Sequence, residues 1–167
     1  MRLNDSLADH VVLALVAEGP QHGFAIAKTL ADDEQLAQVI TLSRPLVYRS
    51  LATLSNLGLI RTVRTEPGTH GRDRTVFRAT AQGVRENTAW LSSVVAHPRD
   101  ARVDLLAKFV LRARRGLSNT TLAKRQLATF KPLEKRLRGR TSASDVVSLW
   151  RRESLDATMR VLRSIAR

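Results

Sequence analysis

Three features of the sequence predict a mainly helical protein with a small β-hairpin near its middle. Apolar residues up to position 58 recur at helical spacing, two short segments between residues 59 and 80 alternate apolar and polar side chains, and the rest is again helical in pattern. Of the 167 residues, 43% are hydrophobic, which is enough to bury a core. We therefore expect one domain with an appendage, or two small domains.

The first two predicted helices are short. The first is capped by Asn4 or Ser6, runs to about Ala17 and ends at Gly19-Pro20. The second covers residues 24–33 and is followed by a polar linker. Its inward-facing side chains are predicted to be Phe24, Ile26, Ala27 and Leu30.

The segment SRPLVYRSLATLSNLGLI (43–60) predicts a third helix with two different faces. Ser43 is a suitable N-cap, Pro45 fits the first turn, and Gly58 is a suitable C-terminal stop. Its core face is predicted to comprise Leu46, Val47, Leu51, Leu54 and Leu57.

Two alternating segments follow this helix and predict a hairpin. They are LIRTVRTE (59–66) and RTVFRAT (74–80), and PGTHGRD (67–73) joins them as a turn-rich loop. Three helices followed by a hairpin predict a winged helix-turn-helix, in which the third helix is the recognition helix and the hairpin is the wing.

The second half of the chain predicts helices alone, over residues 81–95, 99–115, 118–138 and 143–166. Ser118 and either Ser142 or Ser144 are expected caps, and Pro132 predicts a kink or break in the third of these helices. We expect a winged helix-turn-helix DNA-binding domain over 1–83 and an α-helical dimerisation region over 84–167.

The formal net charge of +13 is unevenly distributed along the chain. Residues 1–40 hold two basic and six acidic side chains. Residues 41–96 hold eight basic and three acidic side chains, and residues 97–167 hold 18 basic and six acidic ones. A basic middle and a strongly basic tail indicate a polyanionic partner, although a solubilising surface is the simpler alternative.

The outer face of the recognition helix has the chemistry of a DNA contact. Arginine bonds guanine edges in bidentate fashion, whereas tyrosine and serine hydroxyls more often bind phosphates. A solvated helix face is the alternative, but the adjacent basic wing favours DNA. The predicted DNA-binding residues are Ser43, Arg44, Tyr48, Arg49 and Thr53, with Asn56 as a further candidate, and Arg72, Arg74 and Arg78 on the wing.

The segments VVLALVAEGPQHGFAIAKTL (11–30), VYRSLATLSNLGLI (47–60) and RTVFRATAQG (74–83) resemble the PadR-like family of bacterial transcriptional regulators. The resemblance implies a homodimer formed through C-terminal helices, which binds a palindromic operator and usually represses. It also implies a phosphate contact for Tyr48 and a structural role for His22.

The wing and the tail depart from the family pattern. Thr75 and Val76 stand where the family has lysine and tyrosine, so Arg72, Arg74 or Arg78 would have to supply the phosphate contact. The tail is more basic than dimerisation requires. We hypothesise that tail residues such as Arg138 and Arg140 contact flanking DNA or a second anionic partner.

The C-terminal helices present apolar faces that predict a dimer interface. The expected interface residues are Val103, Leu106, Ala107 and Val110 on one helix and Leu155, Met159 and Leu162 on the last. The resemblance makes Trp90 and Trp150 candidates for a small-molecule effector pocket, and core packing is the alternative for both.

Other function classes find little support in the sequence. The chain has no cysteine and no HExxH, phosphate-loop or GxSxG motif, so we expect no enzyme, metal or cofactor; Asp9, His10 and His22 form only a weak metal candidate. No apolar run approaches the roughly 20 residues of a membrane span, and we expect a cytoplasmic protein. A winged helix that binds DNA or RNA nonspecifically, or docks a protein, remains the alternative.

Overall fold

The computed structural model describes residues 6–67, 73–138 and 145–167. The chain divides between Leu91 and Ser92 into two compact units. The functional division expected after residue 83 stays a prediction, since the helix that begins at Ala81 belongs to the first unit.

The first unit contains five helices among its described residues: α1 (Leu7–Glu18), α2 (Gly23–Asp32), α3 (Glu34–Val39), α4 (Arg44–Asn56) and α5 (Ala81–Ser92). Helix α1 packs against α4, and each of its side chains from Val11 to Val16 is at most 1% exposed. The hydroxyl of Ser6 accepts from the backbone N–H of Asp9 at 3.4 Å, as expected for a cap. Gly58 has a φ of +68°, which ends α4 as predicted.

Two predictions for the region after α1 are wrong. Part of the predicted polar linker is the helix α3, whose N-cap Asp33 accepts from the backbone N–H groups of Gln35 and Leu36 at 3.1 and 2.9 Å. Leu36 is fully buried and holds this short helix to the unit. Phe24 was expected in the core but is 40% exposed.

The predicted hairpin is confirmed, and a third strand accompanies it. The strands β1 (Gln21–His22), β2 (Ile60–Glu66) and β3 (Arg74–Ala79) are antiparallel in the order β1-β3-β2. The register between β2 and β3 shifts between Thr62 and Arg64, which places a bulge at Val63. Residues 68–72, between these two strands, lie outside the described residues. They include the predicted DNA contact Arg72 and the loop histidine His70.

The described part of the second unit is helical. A single helical turn, α6 (Pro98–Asp100), is followed by a π-helical stretch, Ala101–Leu105, which continues into α7 (Leu106–Arg114). Two longer helices follow, α8 (Thr120–Arg138) and α9 (Val146–Ile165). Helix α8 continues through Pro132, so there is no break at this residue, and the alternative of a kink stays a prediction. The core residues are Val95, Ala101, Leu105, Phe109, Leu122, Ala123, Phe130, Leu155, Met159 and Leu162.

Asp145 caps α9 in place of the predicted serines, which lie outside the described residues. Its carboxylate accepts from the backbone N–H of Ser148 at 2.8 Å, and this bond holds the pKa of Asp145 below its ordinary value. The stabilisation by this cap is therefore fully present above the ordinary aspartate pKa, and it is lost as the pH falls through the lowered pKa of the folded protein. No helix in the described ranges is long and apolar enough to cross a lipid bilayer.

Candidate nucleic-acid interface

The outer face of α4 carries polar side chains that the core does not use. Val47, Leu51 and Leu54 are buried on the inner face, whereas Arg44 and Arg49 are exposed on the outer one. Among the remaining predicted contacts, Ser43 is exposed and its side chain makes no capping hydrogen bond, and Thr53 is half-buried. Such a face is free to enter a DNA groove.

Tyr48 lies at the middle of this face, where its ring rests on the start of α2. A Cβ atom at Gly23 would lie only 2.7 Å from Cε1 of Tyr48 and 3.1 Å from Cδ1 of Leu51. Only glycine leaves room for the ring at this distance. The Tyr48 side chain remains 53% exposed, so the ring is supported from below while it faces solvent.

The exposed ring of Phe24 joins the recognition helix to the wing. The guanidinium carbon of Arg44 lies 5.1 Å from the ring centroid, and that of Arg74 lies 5.5 Å from it. Both distances are within the range of cation–π interactions. We call these three residues the Phe24 cluster. It brings a predicted contact of α4 and a predicted contact of the wing to the same aromatic ring.

Phe24→Leu is expected to weaken binding of a DNA operator, because leucine keeps the apolar bulk but has no ring quadrupole to hold the two arginines. Each exposed cation–π contact contributes about 0.5–1 kcal/mol. Losing both contacts, about 1–2 kcal/mol together, gives a roughly 5- to 30-fold loss of affinity, measured by fluorescence anisotropy on a labelled operator. Phe24→Tyr, which keeps the ring, is the control and should bind as the wild type. Equal affinity of the leucine variant would show that the cluster does not order the arginines for DNA.

The wing pairs two arginines directly. Arg61 on β2 is the cross-strand partner of Arg78 on β3, and both side chains are exposed. Like charges in directly opposite positions destabilise a sheet. Arg64 is different, because its Nε donates to Glu66 at 2.6 Å and its charge is matched. Arg61 and Arg78 are therefore the basic pair on the described part of the wing whose charges no acidic side chain matches.

Sequence reasoning did not identify Phe24 and Arg61 as candidate residues of the nucleic-acid interface. Phe24 stands among the inward-facing residues of α2 in the helical pattern, and nothing local signals that two distant arginines cover it. Arg61 alternates outward in the strand pattern, which was a usable signal for an exposed base. Its opposition to Arg78 depends on the register between the strands.

The two tryptophans have different environments. Trp90 belongs to the first unit, is 9% exposed and stacks on the ring of His10, with centroids 4.9 Å apart. Trp150 belongs to the second unit and is 73% exposed. Core packing describes Trp90 well, while Trp150 is available to a ligand or a partner.

The predicted dimer residues also fall into two groups. Leu155, Met159 and Leu162 are at most 2% exposed within the core of the second unit, so contacts in the same chain already cover them. Val103 and Val110 are half-buried, and Leu106 is 37% exposed. The exposed apolar residues of α9 are instead Val146, Val147, Leu149, Trp150 and Val161.

The histidines near the N-terminus have structural roles. Nδ1 of His22 accepts from the backbone N–H of Ala25 at 3.0 Å and caps α2, while His10 stacks on Trp90. Within residues 6–67, 73–138 and 145–167, no three histidine or acidic side chains are placed to hold a metal ion.

Comparison with known proteins agrees with this architecture. Residues 12–89 match the family model of the transcriptional regulator PadR-like family. Bacillus subtilis PadR in complex with operator DNA has the same fold, with a TM-score of 0.51 and 20% identity over 96% of this chain and 98% of that one. No curated protein matches the chain at a significant level.

Two further crystal structures are similar over nearly the whole chain. Bacillus subtilis PadR in complex with p-coumaric acid gives a TM-score of 0.46 and 19% identity, over 98% of this chain and 97% of that one. The PadR-like transcriptional regulator BC1756 from Bacillus cereus gives a TM-score of 0.42 and 18% identity, over 95% of this chain and 91% of that one. The family match and the winged architecture together place residues 12–89 in the PadR-like family, whose members are transcriptional regulators and not enzymes.

Proposed function

We propose that this protein is a homodimeric transcriptional repressor that binds a palindromic operator and is released by a small-molecule effector. The observation that carries the proposal is the outer face of α4, where Arg44, Tyr48 and Arg49 are exposed on a helix whose inner face is buried. Support also comes from Bacillus subtilis PadR, which has been crystallised with operator DNA and with p-coumaric acid. A regulator of this kind acts in the bacterial cytoplasm.

The roles on DNA follow from side-chain chemistry. Arg49 makes no hydrogen bond or ion pair within the described residues and reads a base edge in the major groove, where a bidentate arginine distinguishes guanine. Tyr48 and Ser43 bind phosphates and fix the register. Arg61, Arg74 and Arg78 hold the wing against the backbone beside the groove; Arg72, a further predicted contact, lies outside the described residues.

One winged module alone reads only a few base pairs of DNA, so sequence specificity requires a second module, which a homodimer supplies. Two modules related by a two-fold axis read two half-sites of an inverted repeat. The exposed apolar residues of α9, together with Leu106, Val103 and Val110, supply the surface for pairing. Residues 84–167 thus pair the chains and residues 1–83 read DNA.

Nonspecific nucleic-acid binding is the second candidate, and the excess of 12 positive charges over residues 97–167 favours it. Such binding depends on counterion release and not on base contacts. It predicts equal affinity for unrelated sequences and a steep loss of affinity with salt.

The deciding experiment is a binding selection on genomic fragments with purified protein at about 150 mM salt, where nonspecific binding is weak. We expect enrichment of one inverted repeat. Arg49→Ala should weaken binding of that repeat by about 1–3 kcal/mol, or roughly 5- to 150-fold, because a base contact is lost. Arg85→Ala on α5 removes the same charge from an exposed arginine that is not among the predicted DNA contacts, and it is the matched control. Binding without any enriched sequence would support the nonspecific alternative.

A further inference from the structure

Helix α8 carries three lysines on the face opposite the side that packs into the core of the second unit. Lys124, Lys131 and Lys135 are all exposed. With 3.6 residues per turn, these positions lie within about 40° of one another around the helix axis. Along the axis they are separated by about 10 Å and about 6 Å. We call them the lysine stripe. The buried side chains of α8 are those of Leu122, Ala123, Gln126 and Phe130.

The charges of the lysine stripe are not matched by acidic groups. Within the described residues, none of its three ammonium groups forms an ion pair or a hydrogen bond. Glu134 is the acidic residue of α8, but it accepts from Arg163 at 2.8 Å and its side chain is only 12% exposed. Ala128 lies on the same face between Lys124 and Lys131 and is too short to cover them. The stripe is therefore open to an anionic partner.

The spacing of the stripe fits an extended polyanion better than a small anion. A lysine ammonium is a compact point charge at the end of a flexible stem. A single phosphate or carboxylate group would have to draw the outer two side chains toward each other along about 16 Å of helix. One strand of B-DNA carries a phosphate about every 3.4 Å of axis, so the same length spans about five phosphates. On such a strand, each ammonium group reaches a phosphate of its own.

The rest of the exposed face favours the backbone of a duplex among the polyanions. Single-stranded nucleic acids are bound largely through aromatic rings that stack on the bases, and none of the exposed side chains that the structure describes on α8 is aromatic. Protein interfaces are depleted in lysine and have an apolar centre, whereas Ala128 and Pro132 are the exposed apolar residues here. A membrane surface requires large apolar side chains beside the charges. Phosphate contacts with a duplex require neither rings nor an apolar centre.

We propose that the lysine stripe of α8 is a second DNA contact, which binds the phosphate backbone of the duplex that the winged unit reads. The inference rests on the proposed function for its partner, and it adds a contact that carries no sequence information. It accounts for part of the excess of 12 positive charges in residues 97–167. Of the tail residues expected at DNA from the sequence, Arg140 lies outside the described residues and Arg138 is described only as the last residue of α8.

The salt dependence of binding tests this proposal, because log K falls with log salt by about 0.9 for each phosphate of B-DNA that is neutralised. The variant Lys124→Gln/Lys131→Gln/Lys135→Gln changes exposed positions alone and should fold as the wild type. On a duplex longer than the operator, its slope should be less steep by about 2.7 for each bound chain. Lys124→Arg/Lys131→Arg/Lys135→Arg keeps the charges and should retain the wild-type slope.

A matched control separates local contact from net charge. Arg85→Gln/Arg160→Gln/Arg167→Gln also removes three exposed positive charges, away from the stripe and from the predicted DNA contacts. Its slope should stay near that of the wild type. If the stripe variant changes the slope no more than this control does, the stripe makes no phosphate contact and the proposal is wrong.

The slope is measured first on a duplex of random sequence, which needs no operator, and then on the selected inverted repeat. A stripe-dependent slope without any preference for a repeat removes the proposed repressor and supports the stripe as a DNA contact. Preference for the repeat with a slope that the stripe variant leaves unchanged removes only this inference. If the variant changes the slope on single-stranded RNA and on neither duplex, the partner of the stripe is RNA and the proposal is overturned.

Discussion

Gly83→Ala is expected to lower the free energy of unfolding by about 3 kcal/mol, at the upper end of the range for overpacked sites. A Cβ atom at this position of α5 would lie 2.0 Å from the carbonyl oxygen of Leu59 and 2.9 Å from its carbonyl carbon. The obstacle is backbone, so no side-chain rotation relieves it. The same carbonyl accepts from the backbone N–H of Thr80 at 2.9 Å, which fixes its position. Relief therefore requires α5 to move away from the start of β2.

Urea unfolding followed by circular dichroism measures this loss through the midpoint and the slope. Gly19→Ala is the matched control, because a Cβ atom there meets nothing within 4 Å and its φ of 166° is ordinary extended backbone. The control should stay within about 0.5 kcal/mol of the wild type, as is usual for surface substitutions. A loss for Gly83→Ala no larger than that of the control would show that α5 tolerates the shift.

Asp104→Asn is expected to destabilise the second unit more than Lys108→Met does, although both break the same ion pair. The Lys108 side chain is 2% exposed and its Nζ lies 3.0 Å from Oδ1 of Asp104 and 3.0 Å from Oγ of Ser93. Without the aspartate, the buried ammonium group loses its carboxylate partner, and breaking a buried ion pair from one side costs about 3–5 kcal/mol. We expect the lower end, about 3 kcal/mol, because the hydroxyl of Ser93 remains.

Lys108→Met leaves the Asp104 carboxylate, whose Oδ1 is buried but whose side chain is 31% exposed overall, so the charge keeps partial access to water. The loss should be about 1 kcal/mol, the net value of one hydrogen bond. The double variant Asp104→Asn/Lys108→Met should recover most of the stability that Asp104→Asn loses, since no charge is left buried. Urea unfolding of the four proteins measures this cycle. Equal losses in the two single variants would contradict the assignment of the cost to the buried ammonium.

The fold was predictable where its elements depend on local patterns. The stripe of Val47, Leu51 and Leu54 defines α4, and the alternation in 59–66 and 74–80 defines the hairpin. Strand β1 was not predictable, because two residues have no period and the strand exists only through pairing with Phe77 and Val76. Helix α3 left a signal in Asp33 as a cap, but its six residues are too short for a clear stripe.

The interface was predictable in part for a related reason. The outer face of α4 follows from helical geometry once the inner face is known, and this gave Arg44, Tyr48 and Arg49. The wing is harder, because the bulge at Val63 shifts the register and decides which arginines meet across the strands. The exposure of Phe24 also arises from residues distant in sequence. Local periodicity holds no information on either point.

The opposition of Arg61 and Arg78 makes the stability of the wing depend on what surrounds it. Repulsion between two exposed guanidinium groups is greatest at low ionic strength and falls as salt screens it. An anion between them replaces repulsion with attraction, so whatever binds there also stabilises the folded sheet by mass action. By this linkage, a polyanion that binds across the two arginines would add its binding free energy to the stability of the wing. Strand pairing and anion binding would then strengthen each other.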